Sequence, residues 1–540
     1  MDTKALRQKI LDLAIRGKLV PQDPNDEPAS ALLERIRAEK QQMVKDGKLK
    51  PKDIKNDTVI FKADDNLHYE KFQDGTVKCI EDEIPFELPE GWEWARLKDL
   101  LNVCSSKRVL QSDWKNEGIP FYRAREIVKL SENDFIDNEL FISEEHYLEL
   151  KKNYGVPQSG DLMVSSVGTI GKVYIVKPED LFYYKDASVL CFENKNKLLV
   201  SQFAKILLES SFVQSQMRDN SKGTTVDTIT ISAATNYLCI VPPKNEQLRI
   251  VDAAQRALVK VIQIQSNKDV LQATITNAKS KILDLAIRGK LVPQDPNDEP
   301  ASVLLERIRA EKEGLIKQGK IKRDKKDSVI FKGDDNSYYE KIGEEVFCID
   351  EEIPYNIPDT WTWMRLENCC VKEIRRGKSP KYTENSNVLV FAQKCNTKHN
   401  SIDVSLAQYL DETALKRYPD DEYMQDGDTV INSTGTGTLG RVGIYRNTDN
   451  TKGLSIVPDS HVTVIRSFSC INSHYLYAFM KAHQSVLEKK GEGSTNQKEL
   501  KPLTLKEMLI AIPPLSEQKR IDKSINIALS HFAVIEESLN

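Results

Sequence analysis

The longest continuous pattern of hydrophobic and polar positions covers residues 246–288, which contain neither proline nor glycine. Apolar residues recur there at steps of three and four; they are Val251, Ala254, Leu258, Val261, Leu271, Ile275, Ala278, Ile282 and Leu285. This spacing predicts one long helix with a coiled-coil seam, which Gln265 and Lys268 interrupt midway. Pro242-Pro243 precedes the segment and Gly289 follows it, as expected of a helix start and a helix stop.

The chain is one unit written twice. Residues 9–40 return as residues 281–312 with a single difference, Ala31 against Val303, at a period of 272 residues. Shorter repeats follow in the same order: 59–62 with 329–332, 64–66 with 334–336, 91–94 with 360–363, and 241–250 with 512–521. Between the tryptophan motifs and the Pro-Pro motifs the copies diverge almost completely. A recent duplication would explain why the repeated segments are so similar. Alternatively, the same partner protein binds the repeated segments of both copies, while the divergent middles bind different ligands.

The second copy of the long helix is expected to come from both ends of the chain. From its start at Glu517 to the end of the chain there are only 24 residues, and residues 1–18 match the last part of the central helix. The two terminal segments are therefore expected to lie head to tail and to pack antiparallel to the central helix. An amphipathic N-terminal helix docked elsewhere is the alternative.

The predicted fold class is mixed α/β, with two globular α+β domains, two long antiparallel spacer helices between them, and an internal pseudo-twofold, cyclic repeat. The expected segments are 1–18, an N-terminal helix that completes the distal spacer; 19–90, a connecting region; 91–240, the first globular domain; 243–290, the central spacer helix; 291–359, the repeated connecting region; 360–510, the second globular domain; and 513–540, the C-terminal spacer helix.

Composition excludes several classes of protein. A chain of 540 residues with 29% charged and 40% hydrophobic residues is neither disordered nor fibrous. No apolar run approaches the roughly 18 residues of a membrane span, and the charged N-terminus is unlike a secretory leader, so a cytoplasmic protein without a membrane partner is expected. Nine cysteines without a Cys-x-x-Cys pair and seven scattered histidines indicate neither a disulfide framework nor a metal site.

The net charge of −4 conceals two acidic stretches. Residues 57–90 hold 3 basic and 10 acidic side chains, and residues 327–359 hold 2 and 10, so the other 473 residues carry a net +11. Local rather than total charge attracts phosphate, so the basic remainder permits DNA binding. A solvated basic surface without a ligand is the alternative.

Each divergent middle contains a strand, a glycine-rich loop and a second strand, at 160–176 and 427–445. Gly435, Gly437 and Gly440 have the spacing of a dinucleotide-binding fingerprint, but a strand rather than a helix follows, which argues against such a site. The loops end in Lys172 and Arg441, and backbone amides next to a cation suit a phosphate. A hairpin turn with a solvated base fits equally well.

The candidate DNA contacts are basic, amide, hydroxyl and aromatic side chains of the predicted loops. In the first domain they are Lys107, Arg108, Arg123, Arg125, Ser165, Ser166, Thr169, Lys172, Lys222 and Thr224. In the second they are Arg375, Arg376, Lys378, Lys381, Tyr382, Lys394, Thr436, Thr438, Arg441, Asn496, Gln497 and Lys498. For each residue, an exposed position without a role in binding is the alternative.

Sequence motifs of catalysis are missing. The chain has no Gly-x-x-x-x-Gly-Lys-Ser/Thr motif, and Val241 and Ile512 precede the Pro-Pro pairs where an adenine methyltransferase has Asp or Asn. The chain is therefore not expected to be an enzyme, and no catalytic or metal-binding residue is predicted.

The complete layout resembles the DNA-specificity subunit of Type I restriction-modification systems, over essentially all 540 residues. The motifs that carry the resemblance are Pro-Pro-x-x-Glu-Gln-x-Arg-Ile at 242–250 and 513–521, Gly-Trp-Glu-Trp at 91–94 with Ala-Arg-Leu at 95–97, the loop 165–172, and Arg-Gly-Lys-Ser-Pro-Lys-Tyr at 376–382.

The resemblance implies that residues 91–240 and 360–510 are target-recognition domains, each reading one half of a split site in double-stranded DNA, in opposite senses. It also implies that two copies of a methyltransferase subunit dock on the repeated helical regions and that restriction subunits join the full complex. S-adenosylmethionine, ATP and Mg would serve those partners, and this chain would bind no cofactor. A two-headed protein-interaction scaffold and an enzyme with a nuclease or phosphotransferase site in each middle are the rival readings.

Overall fold

The computed structural model describes residues 2–133, 136–195, 197–221, 226–321, 323, 328–398, 401–435, 437–492 and 498–539. The chain divides into two compact units, unit 1 from Met1 to Lys268 and unit 2 from Asp269 to Asn540. The boundary lies inside the long helix, so each unit begins with one helical segment and ends with another.

Unit 1 mixes helices and short strands. Its helices are α1 (Thr3–Ile15), α2 (Ala29–Lys45), α3 (Pro51–Ile54), α4 (Leu97–Leu100), α5 (Ala124–Asn133), α6 (Glu144–Tyr154), α7 (Ser201–Glu209), α8 (Ser211–Asp219), α9 (Ile231–Ala234) and the first part of α10 (Lys244–Ile287). Its strands are β1 (Val59–Lys62), β2 (His68–Lys71), β3 (Val77–Cys79), β4 (Glu93–Arg96), β5 (Asn102–Cys104), β6 (Trp114–Lys115), β7 (Ile119–Tyr122), β8 (Phe141–Ile142), β9 (Leu162–Ser165), β10 (Val173–Ile175), β11 (Tyr183–Tyr184), β12 (Val189–Glu193) and β13 (Leu238–Val241).

Unit 2 repeats this order around a different middle. After the second part of α10, its helices are α11 (Ala301–Lys317), α12 (Ser473–Ala482), α13 (Gln484–Lys489), α14 (Pro502–Lys506) and α15 (Leu515–Leu539). Its strands are β14 (Ser328–Lys332), β15 (Tyr338–Ile342), β16 (Glu345–Cys348), β17 (Thr362–Arg365), β18 (Tyr382–Thr383), β19 (Val388–Phe391), β20 (Gln408–Leu410), β21 (Thr429–Asn432), β22 (Val442–Ile444), β23 (Ser455–Pro458), β24 (Val462–Ile465) and β25 (Leu509–Ile512).

Each unit contains an antiparallel pair of helical segments. In unit 1 the hydroxyl of Thr3 contacts Gln265, while Gln22 donates to Glu246 over 3.1 Å, so α1 runs against the first part of α10. In unit 2, Lys279 lies 2.7 Å from Glu536 and Gln294 lies 2.6 Å from Glu517, so the second part of α10 runs against α15. The joining of the two terminal helices end to end into one spacer stays a prediction.

The Glu-Gln-x-Arg motif is the joint between helix and domain. Glu246, which is 1% exposed, accepts the indole N–H of Trp92 over 2.9 Å, and Glu517 accepts that of Trp361 over the same distance. In unit 1, Arg249 pairs with Asp26 at 2.6 Å, and unit 2 repeats this ion pair. The same polar joint is therefore present in both units, and it is made by contacts between residues that belong to the sequence repeat.

The repeated glycine after each helix has a steric reason. Gly17 and Gly289 have φ angles of +63° and +68°, and a Cβ atom would lie 2.3 Å from Pro89 Cγ at the first and 2.5 Å from Pro358 Cγ at the second. Both the left-handed backbone and the close approach of a proline ring require glycine at this helix end.

Replacing Glu246 by alanine is expected to lower the free energy of unfolding by about 1 to 3 kcal/mol, because the buried indole N–H of Trp92 and the amide of Gln22 lose their acceptor. Calorimetric or urea unfolding checks this. The control is Asp252→Ala on the same helix, where an exposed i,i+4 pair with Arg256 is lost and a change below about 0.5 kcal/mol is expected. Equal effects of both variants would contradict the role of the joint.

The divergent middle of each unit is attached through a two-stranded neck. β4 pairs antiparallel with β13, with Trp94 opposite Ile240, and β17 pairs in the same way with β25, with Trp363 opposite Ala511. Beyond the neck, β9 lies between β10 and β12 in antiparallel order, and β21 lies between β22 and β24. A parallel pair follows in a second sheet, β7 with β11 and β19 with β23. The divergent middles thus share one framework.

The acidic stretches form a three-stranded antiparallel sheet in each unit, β1-β2-β3 and β14-β15-β16. Buried ion pairs attach these sheets to the necks: Arg96 lies 2.7 Å from Glu70, and Arg365 lies 2.6 Å from Glu340. Burial by itself raises the pKa of Glu70, but the hydrogen bonds from Arg96 and Thr58 outweigh it and hold the pKa below its usual value. Among the described helices, none has the length and apolarity needed to span a membrane.

Candidate nucleic-acid interface

The predicted glycine loops connect β9 to β10 and β21 to β22, and each is closed by its own hydrogen bonds. In unit 1 the hydroxyl of Ser165 donates to the carbonyl of Thr169 over 2.6 Å and accepts from the N–H of Lys172 over 3.0 Å. A later segment lies beside the loop, since the N–H of Ile229 donates to the carbonyl of Ser166 over 2.8 Å. In unit 2, Leu500 donates to Ser433 in the same way, again over 2.8 Å.

This geometry corrects the expectation for Ser165 and Ser166. Both residues are 0% exposed, and the hydroxyl of Ser166 donates to the carbonyl of Ala187 over 3.1 Å. Their hydroxyl groups are used to hold the loop, so they do not face a ligand. Thr169, at the tip of the same loop, is exposed.

Several predicted segments of unit 1 meet around this loop. The N–H of Ala187 donates to Ser105 over 3.3 Å, and the hydroxyl of Ser106 donates to the carbonyl of Tyr184 over 2.7 Å. Ala187 has a φ of +58°, a left-handed conformation that non-glycine residues adopt rarely and that clusters at functional sites. Residues 105–108, 166–172, 185–188 and 226–229 are called the unit 1 loop cluster below.

The corresponding segments of unit 2 meet in the same way. Arg376 lies 3.1 Å from Glu499, Thr438 donates to Gln393 over 3.4 Å, and a guanidinium nitrogen of Arg441 donates to the carbonyl of Asn396 over 2.7 Å. Residues 376–378, 393–396, 433–435, 437–441, 459–461 and 498–500 are called the unit 2 loop cluster below. The structure thus brings together segments that are more than 100 residues apart in the sequence.

Arg123 and Arg125 are held by carboxylates of their own domain. Both guanidinium groups lie 2.9 Å from Glu126, which is 2% exposed, and Arg125 also reaches Glu139 at 2.7 Å. Burial raises the pKa of Glu126, but hydrogen bonds from Arg123 and Arg125 outweigh it and leave the pKa below its usual value. These ion pairs neutralise much of the local positive charge, which counts against the expected role of the two arginines in DNA binding. Lys172 is also paired, at 3.1 Å from Glu132.

Glu422 organises the basic segment of unit 2. This carboxylate is 2% exposed and lies 3.0 Å from Lys372, 2.6 Å from Arg375 and 3.7 Å from Lys378. Arg375 and Lys378 are therefore first of all parts of a buried ion-pair network. This network could not be predicted from the sequence, because Glu422 lies 47 residues after Arg375.

The remaining candidates of unit 2 differ in their exposure and in whether a carboxylate neutralises their charge. Lys381 lies 2.9 Å from Asp411, whose pKa the hydrogen bonds from Thr413 and Lys381 lower to about 2. Tyr382 is 43% exposed. Lys394 and Lys498 are exposed, and within the described ranges neither ammonium group has an ion-pair partner. The same holds for Arg108 in unit 1, whereas the ammonium of Lys107 lies over the ring of Tyr154 at 5.3 Å.

His461 is a candidate that the sequence did not reveal. It is exposed, and its Nδ1 lies 2.7 Å from the hydroxyl of Thr434 in the unit 2 loop cluster. Its counterpart in unit 1 is Ser188, because the carbonyls of these two residues accept the equivalent N–H groups of Ser433 and Ser166. Only the matching of β12 with β24 makes this correspondence visible.

Five predicted residues, Lys222, Thr224, Thr436, Asn496 and Gln497, lie outside the described residues. Across the described part of the chain, no group of three or more His, Cys, Asp and Glu side chains is arranged to hold a metal ion.

Comparison with known proteins shows what the chain is similar to. The family model described as Type I restriction modification DNA specificity domain matches residues 89–270 and 358–532. The EcoEI specificity subunit of a Type I restriction enzyme from Escherichia coli is 26% identical, over 97% of this chain and 88% of its own length. The EcoAI specificity subunit from the same organism is 31% identical, over 67% of this chain and 62% of its own length. A solved structure from work on complex assembly and conformational transition of the type I R-M system has a TM-score of 0.54 at 17% identity, covers 84% of this chain and 94% of its own, and supports the fold.

Proposed function

Because the chain belongs to the family of Type I restriction modification DNA specificity domains, we propose that it reads a bipartite DNA sequence, one half-site with each of its two target-recognition domains. DNA sequence recognition is the general function of this family. The observation that carries the finer proposal is the pair of loop clusters, in which one backbone framework presents two different sets of side chains.

The equivalent positions of the two clusters differ in chemistry. Val167 in unit 1 corresponds to Thr434 in unit 2, Thr228 corresponds to Glu499, and Ser188 corresponds to His461, as the isolated β-bridges and loop hydrogen bonds align them. Contacts to phosphate position a protein on DNA, whereas side chains that reach base edges give specificity. The two loop clusters share one backbone framework but carry different side chains at equivalent positions. This difference supports the proposal that they recognise two different half-sites.

We further propose that two copies of a methyltransferase subunit dock on the repeated helical regions, with restriction subunits in the full complex. The first twelve residues of α2 and α11 differ only at Ala31 and Val303, and each helix presents an exposed Glu-Arg pair, Glu34-Arg35 and Glu306-Arg307. The arginines make equivalent ion pairs with Glu27 and Glu299. Identical exposed surfaces support identical partners. Methyl transfer from S-adenosylmethionine and ATP-dependent cleavage are assigned to those partners, and this chain supplies the DNA contacts.

The test is to incubate the chain and the methyltransferase subunit with S-adenosylmethionine and a randomised duplex library, and then to sequence the methylated DNA. We expect one motif with two fixed ends and a constant unspecified gap. Methylation without sequence preference would overturn the proposal and favour a protein-interaction scaffold. A motif with a single fixed end would overturn the assignment of one half-site to each domain.

Lys394→Ala is expected to make the salt dependence of DNA binding shallower by about one unit in the slope of log K against log salt, since one phosphate contact is lost. The matched control is Lys381→Ala, because Asp411 already neutralises Lys381 at 2.9 Å and a smaller change is expected. Binding titrations at several salt concentrations measure both slopes. An unchanged slope for Lys394→Ala would remove this residue from the interface. Arg441→Ala, also expected to weaken binding, is less informative, because it removes the bracing contact to Asn396 as well.

A further inference from the structure

The two acidic sheets present the same outward side chains. Cross-strand pairing places Val59 beside Lys71 and Val77, and Phe61 beside Tyr69 and Cys79, on one face of β1-β2-β3. In β14-β15-β16 the same positions hold Val329, Lys341 and Val346, and then Phe331, Tyr339 and Cys348. All six residue types are identical in the two units. These two sets of six residues are called the outer faces.

The outer faces are apolar surfaces open to solvent. Phe61 is 37% and Val77 is 51% exposed, and their counterparts Phe331 and Val346 are 42% and 51% exposed. The aromatic pair has the same geometry in each unit, with ring centroids 6.0 Å apart in Phe61–Tyr69 and 5.9 Å apart in Phe331–Tyr339. Each tyrosine hydroxyl donates to an aspartate at 2.8 or 2.7 Å, which fixes the ring before any partner arrives.

The opposite faces of the same sheets are less alike. Ile60, Lys62 and Glu70 return as Ile330, Lys332 and Glu340, but His68 is replaced by Tyr338 and the exposed Lys78 by the exposed Phe347. Folding alone would preserve the side that packs on the neck and leave the solvent side free to vary, because surface substitutions usually change stability by less than about 0.5 kcal/mol. The exposed position of Lys78 and Phe347 has changed, as expected of a solvated surface, whereas all six positions of the outer face are kept. The kept outer face therefore indicates a constraint from binding.

The charge around the outer faces selects the kind of partner. Asp65 and Asp335, which accept the tyrosine hydroxyls, lie at the edge of each outer face. The stretches 57–90 and 327–359 that contain the two sheets hold 10 acidic side chains each, against 3 and 2 basic ones, so each sheet has an acidic rim. Its negative charge repels DNA phosphates and favours a protein surface rich in lysine and arginine. Exposed aromatic and aliphatic side chains inside a charged rim are typical of the centre of a protein interface.

We propose that each outer face docks one copy of a protein that inserts apolar side chains against the Phe–Tyr–Val surface and meets the acidic rim with basic residues. The occupant to which we assign this surface is the methyltransferase subunit, and this assignment rests on the proposed function. Two identical outer faces then correspond to two identical subunits, and the acidic stretches gain a role that the DNA-binding domains do not give them.

The exposed cysteines of the outer faces allow a direct test on the full chain. Cys79 and Cys348 are exposed, whereas Cys239 and Cys369 are buried. Cys104, in the first target-recognition domain, has intermediate exposure. Alkylation by iodoacetamide, followed at each cysteine by mass spectrometry, is expected to slow about 10-fold or more at Cys79 and Cys348 when the methyltransferase subunit is added. Duplex DNA alone is expected to leave both rates unchanged, and the partner is expected to leave the rate at Cys104 unchanged.

Variants separate the two outer faces. Phe61→Ser with Val77→Ser is expected to reduce the complex from two methyltransferase subunits to one, and Phe331→Ser with Val346→Ser is expected to do the same. Combining the four changes should remove both. The matched control is Leu148→Ser, which replaces an equally exposed apolar side chain, 54% exposed, in the first target domain and should leave two subunits bound. Sedimentation of the mixtures measures the stoichiometry, and DNA binding confirms that each variant is folded.

The outcomes distinguish this inference from the proposed function. If the methyltransferase subunit binds while Cys79 and Cys348 react at their original rates, the docking surface is wrong and the proposed function stands. If the subunit does not bind the unaltered chain, the proposed function loses its partner and the inference falls with it. Protection by DNA, or protection that grows with the concentration of the chain alone, would assign the surface to DNA or to a second copy and overturn the inference.

Discussion

Replacing residues 91–240 by residues 360–510 of the same chain is expected to give a protein that, with its methyltransferase partner, methylates an inverted repeat of a single half-site. The necks make this exchange practicable, because β4/β13 and β17/β25 have the same antiparallel pairing. The residue after each first strand also makes an equivalent hydrogen bond, Leu97 to Tyr237 over 2.9 Å and Leu366 to Met508 over 2.8 Å. The new domain therefore meets the old frame through contacts that it already makes.

The size of the effect follows from the difference between specific and non-specific binding. Recognition of the original split site should fall by roughly 1000-fold or more, since one of its halves no longer has a reader. Sequencing of methylated DNA gives the new motif, and binding to the original site gives the loss. The reciprocal exchange, with residues 91–240 in both positions, should give an inverted repeat of the other half-site. A motif in which both halves change to something new would contradict independent reading by the two domains.

Glu422→Ala is expected to cost about 3 to 5 kcal/mol in the free energy of unfolding, because it leaves the buried ammonium of Lys372 without its carboxylate. Urea unfolding of the chain checks this value. The same change should release Arg375, which Glu422 holds at 2.6 Å, and so weaken recognition of the half-site that we assign to unit 2. The other half-site should keep its affinity, which a duplex carrying that half-site alone can report.

A double variant separates the charge from the packing. Lys372→Met with Glu422→Leu removes both buried charges, and a buried ion pair replaced by apolar side chains of similar volume is often neutral in stability. We therefore expect the double variant to be more stable than Glu422→Ala alone. If the double variant were the less stable of the two, the loss of stability in Glu422→Ala would come from lost packing. The explanation that Glu422→Ala destabilises the protein by leaving the charge of Lys372 unpaired would then be wrong.

The elements with a strong sequence pattern could be predicted. The helix expected over 246–288 is observed at Lys244–Ile287, because its apolar spacing and its flanking proline and glycine act locally. The mixed α/β class with two equivalent domains is confirmed as well. The joint between Trp92 and Glu246 was not predicted, since the two residues are 154 positions apart and only the fold brings the indole to the carboxylate.

The orientation and the partners of the candidate side chains could not be predicted from the sequence, for a physical reason. A loop rich in hydroxyl groups and cations has the same composition whether its side chains face a ligand or one another. Ser165 and Ser166 turned inward, and Arg123 and Arg125 found Glu126. For the arginines the signal was present, because Glu126 stands one and three positions away, within reach of an i,i+3 pair. For His461 no local signal exists, since its role depends on the pairing of distant strands.

The position of the unit boundary inside α10 has a consequence for how the protein is made. Every contact described for unit 1, including that of Thr3 with Gln265, joins residues up to 268, so this unit is complete when half of the chain has been synthesised. At about 5 to 20 residues per second, a ribosome needs roughly 15 to 50 seconds more to finish unit 2. Unit 1 can therefore fold while unit 2 is still being translated. Its partly folded intermediates, which expose apolar surface, are then gone before the nearly identical segments of unit 2 emerge and could mispair with them.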